Sequence, residues 1–171
     1  MTHRPLSTVC VRLVLALSLV ALAGCDALGT PPPVAAAESS EPWVEMLDAV
    51  NAARAQSREC GGESYPAAGP LAWNGRLGAA ALTHTLDMQR RGEMTHQGSD
   101  GSAPGDRASR AGYSWRMVGE NIARYQTDVD EVVAQWLGSP SHCRQIMDAR
   151  FVEMGAAERD RYWTQVFGVP R

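Results

Sequence analysis

Three side chains have types and settings suited to chemistry: His96, Glu120 and His142. His96 lies in MTHQGSDGS (94–102), Glu120 in GENIA (119–123) and His142 in QWLGSPSHCRQIM (135–147). The chain then runs into the strand-like YWTQVFG (162–168). Imidazole and carboxylate groups gathered from distant stretches of a short chain point to a shared cleft. The plainer use of the same residues is a polar network. There His96 hydrogen-bonds Glu120 to orient a loop, Glu120 accepts backbone N–H bonds to fix the Gly-Glu-Asn turn, and His142 lies at the surface.

Other motifs add little chemistry. The chain has no phosphate-binding loop, no G-x-S-x-G elbow and no H-E-x-x-H pair. Ser139 and Ser141 flank the turn that carries His142, but a nucleophile needs its base from a separate element. SDGSAPGDR (99–107) offers only Asp100 and Asp106, too few oxygens for an EF-hand calcium loop. It reads as a structured surface loop in which Asp106 pairs with Arg107 or Arg110, or caps a helix. His84 shares a helical stripe with Leu77, Ala81 and Met88, and reads as a core histidine donating to a nearby carbonyl.

The elements that must position these groups follow from periodicity. Residues 42–58 predict a first helix, with Trp43, Met46, Leu47 and Val50 at helical spacing. CGGESYPAAGP (60–70) reads as a loop from its Gly and Pro content. Asn74 caps a second helix to about Arg91, stopped by Gly92. Pro104 to Ala111 fits a short third helix. Thr127 with Asp130 resembles a capping box opening a helix that buries Val132, Val133 and Trp136. Ser139-Pro140 starts another helical turn through Met147. The period then changes, and 151–157 with 162–168 predict a hairpin around the charged ERDR. Pattern alone gives an α+β domain.

The N-terminus belongs to a different environment. His3, Arg4 and Arg12 precede the apolar LVLALSLVALA (13–23), which is too short to span a bilayer as a mature helix. It ends in Leu22-Ala23-Gly24-Cys25, a lipobox-like sequence. The expectation is a lipoprotein signal peptide over 1–24, with diacylglycerol and palmitate on Cys25. Multiple acyl chains make a stable membrane anchor. Residues 25–40 then form an extended tether, and 41–171 the folded domain. These calls place the chain in the bacterial cell envelope, on the periplasmic face of a membrane.

Without residues 1–24, which hold two arginines and no acid, the formal charge of −3 becomes −5. The chain contains no lysine. An acidic domain without a basic stripe argues against nucleic acid as a partner. Of four cysteines, Cys10 leaves with the signal and Cys25 carries lipid. Cys60 and Cys143 remain in an exported protein, and a disulfide is the natural pairing. A metal site using Cys143 and His142 is the alternative, but adjacent residues chelate one ion poorly.

The four segments, in this order from about Trp43 to Gly168, resemble the CAP superfamily (cysteine-rich secretory proteins, antigen 5, pathogenesis-related 1; SCP-like domains), in particular its bacterial branch. The resemblance implies a three-layer α-β-α sandwich with a small antiparallel sheet. It also implies a cleft where two His and two Glu can hold a divalent cation. His96 matches the first His and Glu120 the first Glu. Ser139 stands in the place of the second Glu and Tyr162 in that of the second His, so two family ligands are absent. The bacterial SPGH-type segment is matched by Ser139-Pro140-Ser141-His142, and the resemblance implies that, with this short helix folded over the cleft, His142 faces His96 and Glu120 and Tyr162 and Gln165 line the same wall. Two imidazoles and one carboxylate are the ligand count of an open zinc site.

These readings converge on a lipid-anchored, non-enzymatic binding module of the envelope, with an envelope lipid, glycan or protein as ligand at the cleft around His96 and Glu120. No cofactor is required. The alternative is a hydrolase assisted by a weakly bound divalent cation such as zinc on His96, Glu120 and His142.

Overall fold

The structure, a computed structural model, describes residues 42–171. The expected signal segment, the lipidation of Cys25 and the tether lie outside the described residues. Among the described residues no helix is long and apolar enough to cross a membrane.

Helix α1 (Pro42–Arg54) turns Met46, Val50 and Ala53 inward at helical spacing. It stops four residues short of the expected end, because Arg58–Cys60 is needed as strand β1. Strand β2 (Glu63–Tyr65) pairs antiparallel with β1 across Gly61 and Gly62. Both glycines have positive φ, 67° and 87°. A two-residue hairpin turn needs that geometry, and it corrects the reading of 60–70 as loop throughout. The short β3 (Ala72–Trp73) follows.

Helix α2 (Gly75–Arg91) begins where the Asn74 side chain accepts hydrogen bonds from the N–H groups of Arg76 and Leu77. It ends at Gly92, which is left-handed with φ 69°. Its inward face is the stripe read from the sequence: Leu77, Ala80, Ala81, His84 and Met88. Helix α3 (Pro104–Arg110) starts with the Asp106 carboxylate accepting from the Ala103 N–H, so Asp106 caps the helix. Helix α4 (Val129–Gly138) is capped by Asp128, which accepts from the Glu131 N–H. Glu131 reaches back to the N–H and hydroxyl of Thr127. The expected Thr127–Asp130 box is therefore displaced by one residue. Helix α5 (Pro140–Met147) follows directly.

Strands β4 (Trp115–Arg124), β5 (Glu153–Arg159) and β6 (Tyr162–Pro170) join β3 in a four-stranded sheet of order β3-β5-β6-β4. β6 runs antiparallel to both neighbours, whereas β3 runs parallel to β5. The sheet is thus mixed at one edge. GENIA enters it as part of β4, a strand whose Glu, Asn and Gly hide the usual alternation.

Successive residues of β6 face opposite ways. Trp163 and Phe167 join Val50, Trp136, Ile146 and Phe151 in the main core beneath α1, α4 and α5. Val166 packs with Leu77, Ala81, Ala108 and Tyr113, and Tyr162 with Met88 and Ile122, beneath α2 and α3. Helices therefore cover both faces of the sheet, the expected three-layer α+β architecture. The Cys60–Cys143 disulfide ties the β1–β2 hairpin to α5.

Candidate functional site

Strand β4 sets Glu120 opposite Val166 of β6, on the face covered by α2 and α3. Gly119 is small for a reason: a Cβ there would run into the Gln145 side chain and the Phe151 ring. Gln145 in turn donates to the Glu120 carbonyl at 2.7 Å. The Gly-Glu-Asn motif is thereby pinned from the α5 side while the Glu120 carboxylate projects the other way.

That carboxylate is 1% exposed and fully engaged. Its Oε2 accepts from Arg107 Nη2 at 2.7 Å, and its Oε1 accepts from His96 Nδ1 at 2.8 Å. His84 Nε2 lies 3.7 Å from Oε1 and donates to the Thr95 carbonyl at 2.7 Å. Burial pushes the His84 imidazole below its ordinary value, opposed by Glu120 and reinforced by Arg107. The ring is therefore neutral near pH 7, with its proton on Nε2.

The loop bearing His96 is held at several points. Arg107 Nη2 also donates to the His96 carbonyl at 3.1 Å, and Nη1 to the Ser102 carbonyl at 2.8 Å. Asp87 accepts from the Ser99 N–H and hydroxyl. Clamped in this way, the His96 ring is 53% exposed, with one edge on Glu120.

The other expected residues are less closely drawn in. His142 is half-buried on α5, and its Nδ1 has no partner among the described residues. Burial first, and His96 second, hold its pKa below the ordinary value. The His142 carbonyl accepts from the Asn121 amide. Gln165 belongs to the other side of the sheet, where it accepts from Asn121 at 3.2 Å and donates to the Met154 sulfur at 3.8 Å. The Tyr162 ring packs with Met88 and Ile122 under the Arg124 guanidinium, 4.3 Å away. The structure thus brings His96 and Glu120 into contact, and among the described residues the His142 side chain bonds to neither. Gln165 and Tyr162 lie apart from that pair.

The missing member in the sequence reading is Arg107, expected at the surface beside Asp106. A signal for it exists. Pro104, Arg107, Ala108 and Ala111 form one helical stripe, which carries Arg107 inward with Ala108. Asp100 takes Arg110 instead. His84, read as core, is indeed buried and donates to a carbonyl, and it also borders the Glu120 carboxylate.

In this arrangement the Glu120 carboxylate is committed to protein partners. Among the described residues no three His, Cys, Asp or Glu side chains converge as metal ligands. The Glu120 carboxylate already neutralises a buried guanidinium, and a cation there would face Arg107 directly.

Comparison with known proteins agrees with the fold. The profile of the cysteine-rich secretory protein family, CAP, matches residues 47–167. YkwD, an uncharacterized protein of Bacillus subtilis (strain 168), is 32% identical over 100 residues, covering 57% of this chain and 39% of YkwD. YlbC, an uncharacterized membrane protein of the same bacterium, is 26% identical over 97 residues, covering 57% of this chain and 28% of YlbC. The crystal structure of an extracellular SCP-domain protein from Bacillus anthracis superposes with a TM-score of 0.67 at 24% identity, over 74% of this chain and 40% of that one. The chain spans less than half the length of each of these three relatives. With the family profile spanning most of the chain and the three-layer fold in agreement, this protein belongs to the cysteine-rich secretory protein (CAP) family.

Proposed function

We propose that this chain is a lipid-anchored CAP module of the bacterial cell envelope that binds an envelope component at the cleft around His96 and Glu120 without turning it over. One observation carries the reading. Glu120 is buried with both oxygens occupied by Arg107 and His96, so it orients the half-exposed His96 ring toward solvent. An oriented imidazole beside the polar 94–102 loop is a recognition surface for a lipid headgroup, a glycan or a polypeptide. The membrane anchor rests on Cys25 in its lipobox-like sequence.

The test uses the full-length chain and separated peptidoglycan, lipid and protein fractions of the envelope. His96→Ala is expected to weaken binding to one fraction at least tenfold while the melting temperature holds. Turnover of any fraction that disappears in His96→Ala would overturn the non-enzymatic reading. Incorporation of labelled palmitate that is lost in Cys25→Ser tests the anchor.

His142 on α5, whose carbonyl accepts from Asn121 beside Glu120 in β4, keeps a second reading, a metal-assisted hydrolase on His96, Glu120 and His142, open to measurement. Glu120 would have to exchange Arg107 for the ion. Saturable zinc binding by calorimetry, abolished in both His96→Ala and His142→Ala, would favour it. Absence of binding would leave the polar network.

A further inference from the structure

Strand β4 ends in a guanidinium set over two tyrosine rings. The Arg124 Cζ lies 4.3 Å from the centre of the Tyr162 ring and 4.7 Å from that of Tyr125. Its Nη1 donates to the Gly92 carbonyl at 2.9 Å. Two rings and a carbonyl thus fix the group, and its remaining donors lie in its own plane. Nε and Nη2, which share one edge of that plane, have no partner among the described residues, and neither is buried. No carboxylate among the described residues forms an ion pair with Arg124. This separates it from Arg107, Arg110 and Arg144, each matched to an acid.

Tyr125 holds its place against local preference. Its φ is 89°, a left-handed backbone that a bulky side chain rarely adopts. Its N–H donates to the Arg161 carbonyl at 2.9 Å, which fixes the turn. The residue is 65% exposed, so burial does not offset the strain. What the conformation secures is the contact with Arg124.

The surroundings carry both signs of charge. Tyr162 is paired with Arg124 on one side and with Arg159 on the other, so these two arginines share a face of the sheet, about 10 Å apart by strand spacing. Arg161 follows in the β5–β6 turn. Of the carboxylates nearby in the chain, Glu158 accepts from the Arg161 N–H at 2.7 Å and Asp160 from the Gln89 amide at 2.7 Å. Glu93 is paired with Arg91, and Asp128 and Glu131 are committed to the start of α4.

We propose that Arg124 forms an anion-binding site at the end of β4, taking a carboxylate or phosphate group on the fork of its Nε–H and Nη2–H. Such a fork meets two oxygens of one oxyanion at once. An arginine already fixed by its neighbours loses less freedom on binding than a mobile one. The site is separate from the His96–Glu120 pair, because four residues of strand between Glu120 and Arg124 span about 13 Å. It does not depend on what that pair binds.

The full-length chain is titrated with acetate, methyl phosphate and neutral acetamide at constant ionic strength in chloride, following the Arg124 Nε–H and Gly92 amide signals by NMR. Saturable shifts are expected with acetate or methyl phosphate and none with acetamide. Tighter acetate identifies a carboxylate ligand, and tighter methyl phosphate a phosphoryl ligand. Arg124→Lys keeps the charge without the fork and is expected to weaken binding about fivefold or more, read at Gly92. Tyr125→Gly removes the ring and suits the backbone, so it is expected to weaken binding while the melting temperature does not fall. His96→Ala is expected to bind within about twofold of the parent, as a distant site should. Shifts that fail to saturate, equal shifts with acetamide, or parental affinity in either Arg124→Lys or Tyr125→Gly would refute the proposal.

Discussion

His96 Nδ1 donates to Glu120 Oε1 at 2.8 Å across the boundary between solvent and core, the His96 side chain 53% exposed and that of Glu120 1%. The two ends of this bond have different energetic weight. An exposed imidazole loses little when its partner goes, whereas Glu120 is the counter-charge of a buried guanidinium. Glu120 therefore serves the fold through Arg107 and the surface through His96.

That division predicts unequal costs. Glu120→Gln keeps the shape but strands the Arg107 charge, at a cost on the order of 3–5 kcal/mol. His96→Ala is expected to cost less than about 1 kcal/mol. Replacing both members of the buried pair, Glu120→Gln with Arg107→Met, is expected to cost less than the sum of the single changes. Urea unfolding of the four proteins measures this directly. Additive losses would show that the pair is not coupled.

The buried His84 gives stability a pH dependence of definite sign. Its folded pKa is depressed by burial below the ordinary 6.5, with Glu120 and Asp87 opposing and Arg107 assisting. The unfolded chain thus binds the proton first. The contribution is fully present above pH 6.5 and is lost as pH falls from 6.5 toward the folded value. His142 is shifted in the same direction and adds to the slope. Asp148, held down first by its hydrogen bond from Arg150, adds a separate loss only below its ordinary 3.8. Melting temperature against pH is expected to fall below 6.5, with a shallower slope in His84→Phe. An unchanged slope in that variant would remove His84 as the cause.

Much of this arrangement was legible because short-range rules governed it. Asn74 and Gly92 bracket α2 through side-chain capping and a left-handed turn, both visible as residue types. A hydrogen bond between His96 and Glu120 was one of the alternatives the sequence left open, and the structure contains it. Arg107 was hidden for a physical reason. An arginine between Asp106 and Arg110 looks like one of several surface charges, and only the tertiary burial of Glu120 gives it a reason to turn inward. Strand β4 was hidden similarly, since Gly119, Glu120 and Asn121 break the apolar alternation in order to serve the site and the amide network with Gln145 and Gln165. Strands β1 and β2 were masked by the two glycines that permit their turn.

Arg54 is a second buried guanidinium, with no carboxylate in hydrogen-bonding contact among the described residues. It is 1% exposed. It donates to the carbonyls of Gly69, Ile146, Asp148 and Phe151 at 2.6–3.2 Å, joining the end of α1 to the loop before β3 and to the end of α5. Burial lowers its pKa, and the charge of Asp148 partly offsets that effect. Arg54→Met leaves four carbonyls short of a donor, and the expected loss is on the order of 4 kcal/mol. Arg54→Lys is expected to recover less than half, since one ammonium cannot reproduce the planar fork. Full recovery by lysine, read from denaturant midpoints at constant m, would show that charge rather than geometry holds these strands of chain together.

The Cys60–Cys143 bond spans a sequence separation of 83 residues and fastens the β1–β2 hairpin to α5, the helix that carries His142 and Gln145. In the chain-entropy picture a loop of that length stabilises by about 4–5 kcal/mol, chiefly by restricting the unfolded chain. Both cysteines are buried in the main core, so reduction also leaves two thiols where the disulfide was packed. Reductant is expected to lower the melting temperature by roughly 15 °C, given about 4 °C per kcal/mol for a domain between the small and mid-sized classes. Cys60→Ala/Cys143→Ala is expected to melt close to the reduced protein. The consequence at the site is local: Gln145 donates to the Glu120 carbonyl, so loosening α5 is expected to raise hydrogen exchange at Gly119 and Glu120 before the sheet as a whole opens. Exchange at those two amides that tracks global unfolding in both redox states would show that α5 does not brace the motif.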